Sequence, residues 1–247
     1  PLACNYDSLV TIDNGSCLTD YGCTDLLALN YDPIATCEDS SCIYEMTFVP
    51  DSEFEAYLEA NGMGNNITND SYVLTININT VNTLYINSLN ISDLTGIEDF
   101  TDLISLSRAY NQLTNINIGN NIALEYLHCN DNQLTTLNVS GNTALTNLNC
   151  RYNQIDTLNI NNNIYLTYLD CSTNNLDTLS VSNNINLIYL YCRDNQLKNL
   201  DVSSNTNLSR LYCDENQLTN LYVNNNPSLN RLECYSNQLT SLDISNN

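Results

Sequence analysis

The chain has 247 residues and a formal net charge of −22, from 28 acidic and 6 basic side chains. A surface this acidic repels nucleic-acid phosphates and anionic lipid, and no stretch approaches the run of about 18 apolar residues that marks a membrane span. We therefore expect neither a nucleic-acid partner nor membrane insertion, and we expect cations or basic protein patches to be the natural partners.

Residues 1–45 form an acidic segment with two similar halves. The first half begins at Ala3-Cys-Asn-Tyr-Asp7 and the second at Ala28-Leu-Asn-Tyr-Asp32, and each ends at a cysteine the same distance on. The cysteines of this segment are Cys4, Cys17, Cys23, Cys37 and Cys42. Their density among few large apolar residues predicts disulfides and an oxidising location.

The spacing does not determine how these cysteines pair. Pairing Cys4 with Cys17 and Cys23 with Cys42 keeps each half closed and leaves Cys37 over, and other connectivities fit equally well. The two halves resemble the short Cys/Asp-rich repeats of secreted bacterial surface proteins. This resemblance implies a secreted or cell-surface bacterial protein.

The same segment contains a candidate calcium site. Its oxygen ligands would be Asp7, Asp13, Asn14, Asp32 and Asp39, which are the hard donors that calcium prefers. Their spacing does not match an EF-hand loop, and the alternative is that they are solvated turn residues of a disulfide-stapled linker. No other cofactor is required.

Residues 46–80 are predicted to cap the repeats that follow. A helix over about 52–60 would be capped by Asp51 or Ser52 and would bury Phe54, Tyr57 and Leu58 on one face. A strand over about 72–78 follows from the alternation of apolar and polar residues. An open solenoid exposes apolar surface at its end, so this helix and strand would cover it.

Residues 81–247 contain one irregular unit of 22 residues and then seven units of 21 residues that start at Leu103, the last of them two residues short. We read this as a fragment cut at both ends. One column of the repeat contains Cys129, Cys150, Cys171, Cys192, Cys213 and Cys234. A second contains Asn132, Asn153, Asn174, Asn195, Asn216 and Asn237. A fixed period of this length predicts a solenoid with a curved parallel β-sheet and a mostly irregular convex side, because no unit can bury a core alone.

The frame L-x-x-L-x-C-x-x-N-Q-L resembles the leucine-rich repeat, and its cysteine column resembles that of internalin J-like bacterial surface proteins. Strand side chains alternate, so the leucines and cysteines should point inward and the asparagines should bond to turn backbone. Parallel strands lie about 4.8 Å apart, which permits disulfides by distance. Because neighbouring Cβ vectors are nearly parallel, we expect buried thiols instead.

The outward columns of the strands carry the candidate ligand-binding residues. They are Tyr126, Arg151, Tyr168, Tyr189, Tyr191, Arg193, Arg210, Tyr212, Arg231 and Tyr235. Tyrosine and arginine are enriched at binding hot spots, so we expect a binding or adhesion module, acting as a monomer, that recognises a protein ligand with its concave face. One alternative is a glycan bound by the same aromatic patch, and another is a spacer without a ligand. The tyrosines also favour β-strands on their own, and the arginines can pair with Asp170, Asp214 and Glu233.

No motif of a hydrolase, zinc protease or phosphate-binding loop occurs in the chain. His128 should point outward and Cys129 inward, so they form no catalytic pair. We therefore predict that the protein is not an enzyme.

Overall fold

The computed structural model describes residues 3–5, 9, 15–245 and 247. The chain winds into a stack of turns, each of which adds one short strand to a parallel sheet. The strands of this sheet are β5 (Thr83–Tyr85), β6 (Ser105–Ser107), β7 (Tyr126–His128), β9 (Asn147–Asn149), β11 (Tyr168–Asp170), β12 (Tyr189–Tyr191), β14 (Arg210–Tyr212) and β16 (Arg231–Glu233). The predicted leucine-rich repeat solenoid is confirmed.

The strands pair in register from one turn to the next. Leu148, Leu169 and Leu190 are directly opposite one another and fully buried. Since side chains alternate along a strand, the residues on either side of each leucine point away from the core. Among the described repeat residues, two further short strand pairs lie outside this sheet, β8 (Leu137–Asn138) with β10 (Leu158–Asn159) and β13 (Asn199–Asp201) with β15 (Asn220–Tyr222).

The asparagine after each strand ties two turns together. Asn153 donates from Nδ2 to the carbonyl oxygens of Cys129 and Cys150, both at 3.0 Å, and Oδ1 accepts from the Leu134 amide at 3.0 Å. The other five members of the column repeat these bonds. One amide side chain thus satisfies buried backbone groups that no strand partner reaches.

A second asparagine column lies outside the parallel sheet and was not predicted from the sequence. It contains Asn121, Asn142, Asn163, Asn184, Asn205 and Asn226, which are all fully buried. Asn163 donates to the carbonyl oxygens of Val139 at 3.0 Å and Asn142 at 2.8 Å. Its Oδ1 has no hydrogen-bond partner among the described residues. The sequence signal for this column is the recurrence of asparagine every 21 residues.

The cysteine column lies inside the stack. Its first five members are fully buried, Cys234 is partly exposed, and all six are thiols. Burial raises the pKa of Cys150, Cys171 and Cys192 well above that of an exposed thiol. These side chains therefore serve as small apolar groups and stay protonated.

The cap helix, α1 (Ser52–Ala60), lies over the residues for which the sequence predicts it. Asp51 Oδ1 accepts from the amides of Glu53 and Phe54, and Oδ2 accepts from Ser92 Nα at 2.8 Å. The Phe54 ring packs 6.3 Å from that of Phe100. One carboxylate thus caps the helix and joins it to the first repeat unit.

The predicted strand over 72–78 is wrong in its second half. β4 (Tyr72–Leu74) pairs antiparallel with β3 (Met46–Phe48), and Thr75–Ile78 then forms a helical turn, α2. The strand ends at Leu74, which pairs with Met46 at the start of β3, and the Thr75 amide then donates to the Glu45 carbonyl oxygen at 3.0 Å. The helical turn brings Ile78, which is fully buried, into the core of the first unit.

In the N-terminal module, β1 (Tyr21–Gly22) pairs with β2 (Cys37–Glu38) in parallel. The disulfides are Cys4–Cys37, with Cα atoms 5.7 Å apart, and Cys23–Cys42, at 4.8 Å. Among the connectivities that the sequence leaves open, the structure has Cys23–Cys42 and pairs Cys4 with Cys37 instead of Cys17. Cys37 lies at the start of β2, and its disulfide joins the two halves instead of closing one.

Candidate functional site

Four tyrosines form a continuous cluster on the outward face of the parallel sheet. Tyr168 and Tyr189 are directly opposite each other in β11 and β12, and their ring centroids are 6.3 Å apart. The Tyr191 ring lies 5.5 Å from that of Tyr168 and 4.8 Å from that of Tyr212. These separations are in the range of favourable aromatic pairs. The rings are therefore ordered by one another on a rigid sheet before any ligand arrives.

Two arginines lie over this cluster. The Arg210 guanidinium is 5.5 Å from the centre of the Tyr189 ring, and that of Arg231 is 5.0 Å from the Tyr212 ring. Arg231 also donates to Glu233 through Nη2 at 2.6 Å. Each arginine belongs to the 21-residue unit after the one that contains its tyrosine. The stacking of adjacent units therefore brings the guanidinium over the ring.

A polar cavity of about 350 Å³ opens beside the cluster. Its lining consists of Arg151, Tyr152, Tyr168, Asp170, Ser172, Thr173, Tyr191, Arg193 and Tyr212. It collects five of the predicted ligand-binding residues and adds Tyr152, Asp170, Ser172 and Thr173, which the prediction omitted. The cavity lies along the carboxyl ends of β9, β11, β12 and β14.

Asp170 is the carboxylate of this cavity and is only 6% exposed. Its Oδ1 accepts from the Ser172 amide at 3.1 Å. Burial raises the pKa of Asp170 despite this hydrogen bond and the nearby Arg151 and Arg193. Burial also raises the pKa of Tyr168 to about 12, with a contribution from the charge of Asp170. The Tyr168 hydroxyl therefore remains a hydrogen-bond donor at neutral pH.

The two arginines of the cavity contact groups other than Asp170. Arg193 Nε is 3.6 Å from Oδ2 of Asp214, which is fully buried. The Arg151 guanidinium lies 5.4 Å from the Tyr152 ring. Among the described residues the ion pairs are those of Arg193 with Asp214 and Arg231 with Glu233. Asp170 thus has no cation within ion-pair distance in the part of the chain that the structure describes.

Other predicted site residues lie apart from the cluster. Tyr126, in β7, and Tyr235, beyond β16, are 44% and 53% exposed. His128 Nε2 is 2.9 Å from Asn147 Oδ1, while Cys129 points into the core. The histidine therefore makes a surface contact and forms no pair with the cysteine.

One column of the repeat has left-handed backbone that the sequence did not reveal. It contains Tyr110, Asp131, Tyr152, Thr173, Asp194, Glu215 and Ser236, with φ between 51° and 57°. This conformation costs about 1–2 kcal/mol for residues other than glycine. Because glycine and asparagine are absent from the column, its composition gave no signal. Tyr152 and Thr173 line the cavity, so this backbone directs side chains to its rim.

The candidate calcium ligands are only partly described. Asp7, Asp13 and Asn14 lie outside the described residues. Asp32 and Asp39 are exposed or partly exposed and accept from the amides of Ile34 and Ser41, two residues on. Within the described residues, the group with metal-ligand spacing is Cys23, Glu38 and Cys42, whose two sulfurs form a disulfide.

Solved structures similar to this one are bacterial leucine-rich repeat proteins. The functional domain of InlJ from Listeria monocytogenes, which includes a cysteine ladder, is 32% identical, covers 81% of this chain and 50% of its own, and has a TM-score of 0.67. The internalin InlF from L. monocytogenes is 28% identical over 62% of this chain and 47% of its own, with a TM-score of 0.57. A leucine-rich repeat protein of Leptospira interrogans is 27% identical over 62% and 42%, with a TM-score of 0.58.

The chain spans half or less of the length of each of these proteins. No protein-family model and no curated protein matches it. Among the described residues, none of the helices combines the length and the apolar character needed to cross a membrane. The similarity covers both the solenoid and its cysteine column.

Proposed function

We propose that this chain, a leucine-rich repeat protein with a cysteine ladder like that of InlJ, is a non-catalytic module that binds a protein ligand with its concave face. The tyrosine cluster is the observation that carries the proposal. Tyr168, Tyr189, Tyr191 and Tyr212 form a partly exposed aromatic surface that is already ordered. An ordered aromatic surface binds with a small loss of conformational entropy.

The surrounding charges favour a protein over a nucleic acid. The cluster is bordered by Arg210 and Arg231, while the chain as a whole has a net charge of −22. A partner with mixed charge and a basic patch would be attracted over long range and would find both signs at the contact. The disulfides of the N-terminal module support a location outside the reducing cytoplasm, at the bacterial surface or secreted from it.

The test uses the purified chain on an array of extracellular proteins next to an array of glycans. The expected result is saturable binding to a protein that is lost when Tyr189, Tyr191 and Tyr212 are changed together to serine. The control variant carries Tyr165→Ser and Tyr222→Ser, since both tyrosines are exposed but lie away from the cluster. Binding that survives the triple substitution would contradict the concave-face assignment.

The glycan array distinguishes the second candidate, in which the same aromatic rings stack on a sugar. Binding to glycans alone, lost in the triple variant, would replace the protein ligand by a carbohydrate. Absence of binding on both arrays would favour a spacer.

Calcium binding by the N-terminal module stays a separate prediction. Calorimetry of the chain with calcium, against the same titration in chelator, measures it. We expect a heat of binding and a rise in the melting temperature of the module. The absence of both would contradict calcium binding.

A further inference from the structure

Two of the four rings of the tyrosine cluster have an arginine over them, and within the described residues the other two have none. Arg210 lies over Tyr189 and Arg231 over Tyr212. Among the described residues, no arginine or lysine lies over the ring of Tyr168 or Tyr191. These two rings flank the cavity, and their centroids are 5.5 Å apart.

Asp170 supplies a negative charge at the same place. It lines the cavity, is only 6% exposed, and has no ion pair within the described part of the chain. A buried carboxylate is costly unless a cation or several hydrogen bonds compensate it. Ser172 provides two such bonds, one from its amide at 3.1 Å and one from its side chain, and no cation adds to them within ion-pair distance in the described part of the chain.

The arginines of the cavity favour the charged form of Asp170, but neither lies within ion-pair distance of it. Arg193 is directed to Asp214, with 3.6 Å between Nε and Oδ2, and Arg151 lies against Tyr152 at 5.4 Å. Both lie at the cavity wall and contact other groups. The cavity of about 350 Å³ is large enough for the end of one long side chain.

We propose that the space between Tyr168, Tyr191 and Asp170 binds a lysine or arginine side chain of the protein ligand. The ammonium or guanidinium group pairs with Asp170 and contacts the tyrosine rings, as Arg210 and Arg231 contact theirs. This assignment rests on the proposed function of the concave face and adds the chemistry of the residue that enters it. The acidic net charge attracts a basic ligand to the chain as a whole, and at the cavity the ligand cation pairs with Asp170 beside Arg151 and Arg193.

The test titrates the full chain at low salt with Nα-acetyl-arginine amide, and in parallel with Nα-acetyl-citrulline amide, which has the same shape without the charge. Methyl glucoside is the third probe. NMR of ¹³C-labelled carboxyl and tyrosine groups reads the Asp170 carboxyl and the rings of Tyr168 and Tyr191. The arginine probe should shift these signals saturably and lower the pKa of Asp170, because a bound cation favours the carboxylate.

The citrulline probe should bind about tenfold or more weakly, and Asp170→Asn should weaken arginine binding by about the same factor. The control is Asp156→Asn, which removes the same charge from an exposed position and should leave arginine binding unchanged. The titration of the Asp170 carboxyl is measured in the wild-type chain. It therefore tests the proposal even if the Asp170→Asn protein folds poorly.

Equal binding of citrulline and arginine, a response to the glucoside alone, or an unmoved Asp170 signal would each overturn the cation site. These outcomes are distinguishable from failure of the proposed function. A chain that loses its protein ligand in the triple tyrosine variant, but keeps it in Asp170→Asn, retains the concave binding face without the cation site.

Discussion

The N-terminal module and the repeat stack both depend on cysteine and use it in opposite ways. In the module, Cys4–Cys37 and Cys23–Cys42 are disulfides, in a segment where Leu26, Leu27 and Leu29 are exposed. In the stack, five of the six ladder cysteines are fully buried thiols within one continuous apolar core. A segment too small to bury a core needs covalent links, whereas a periodic stack gains its stability from contacts between neighbours.

The largest effect is expected where the stack depends on its hydrogen bonds. Asn174→Ala removes the acceptor of the Ile155 amide and the donor to the carbonyl oxygens of Cys150 and Cys171. Several buried backbone groups lose their partner, so we expect the free energy of unfolding to fall by about 4 kcal/mol. Urea unfolding measures it. Asn175→Ala, at the exposed neighbouring position, is the control, and equal losses in both variants would show that the column is not special.

Reduction of the two disulfides separates the regions further. A reductant should destabilise the module by about 2–4 kcal/mol, because the unfolded module regains the conformational entropy that the disulfides remove. The ladder cysteines are already thiols, so the stack should be unaffected. Hydrogen exchange with and without dithiothreitol measures both regions in one experiment. Faster exchange throughout the repeats would mean that the two regions are not independent.

Arg108 interrupts the ladder and offers a test of what the column requires. It precedes Cys129 by one repeat, is fully buried, and its three guanidinium nitrogens have no hydrogen-bond partner among the described residues. Burial lowers the pKa of Arg108 and outweighs the opposite effect of the neighbouring Cys129 thiol, as expected for a poorly compensated charge. Arg108→Leu should therefore raise the free energy of unfolding by about 2 kcal/mol.

Thermal unfolding of Arg108→Leu, beside Arg210→Leu at an exposed position, measures this effect. Arg108→Cys, which completes the column, should also stabilise the chain. A loss of stability in both Arg108 variants would show that the guanidinium is compensated.

The smallest effect concerns the junction between cap and stack. Burial acts to raise the pKa of Asp51, but hydrogen bonds from Ser92, Phe54 and Asp93 outweigh it and hold that pKa below 3.8. A folded pKa below the unfolded one contributes stability above about pH 3.8, which is lost as the pH falls through the folded value. Solvent screening of this partly exposed group keeps the contribution below about 1 kcal/mol.

Unfolding measured between pH 2 and pH 6 tests this junction. Wild type should exceed Asp51→Asn in stability near pH 6, and the difference should shrink in acid. A difference that is constant with pH would assign the effect to the neutral helix cap alone.

The sequence predicts the solenoid well because its signal is periodic. Leucine, cysteine and asparagine recur every 21 residues, and each type has one physical role in such a repeat. The cap helix could also be predicted, since Asp51 and the face of Phe54 and Leu58 are local signals. The end of β4 could not, because it depends on the length of β3.

The candidate site was predicted less completely than the fold. The tyrosine cluster followed from the alternation of side chains, but Asp170 had been considered only as a partner for arginine. Within the described residues it has no ion pair because Arg193 pairs with Asp214 instead, and sequence spacing does not show which carboxylate an arginine contacts. Tyr152 reaches the cavity rim because of left-handed backbone, for which its residue type gives no indication.

The asparagine column has a consequence for how such a chain evolves. Each side chain bonds to its own turn and to the one before it, as Asn153 does to Cys150 and Cys129. The bonding rules are therefore complete within two adjacent turns. Duplication or loss of one 21-residue unit leaves every remaining bond intact, so the length of the concave surface can change by recombination. The outward residues of a single unit can meanwhile mutate freely, and new recognition surfaces can arise without rebuilding the scaffold.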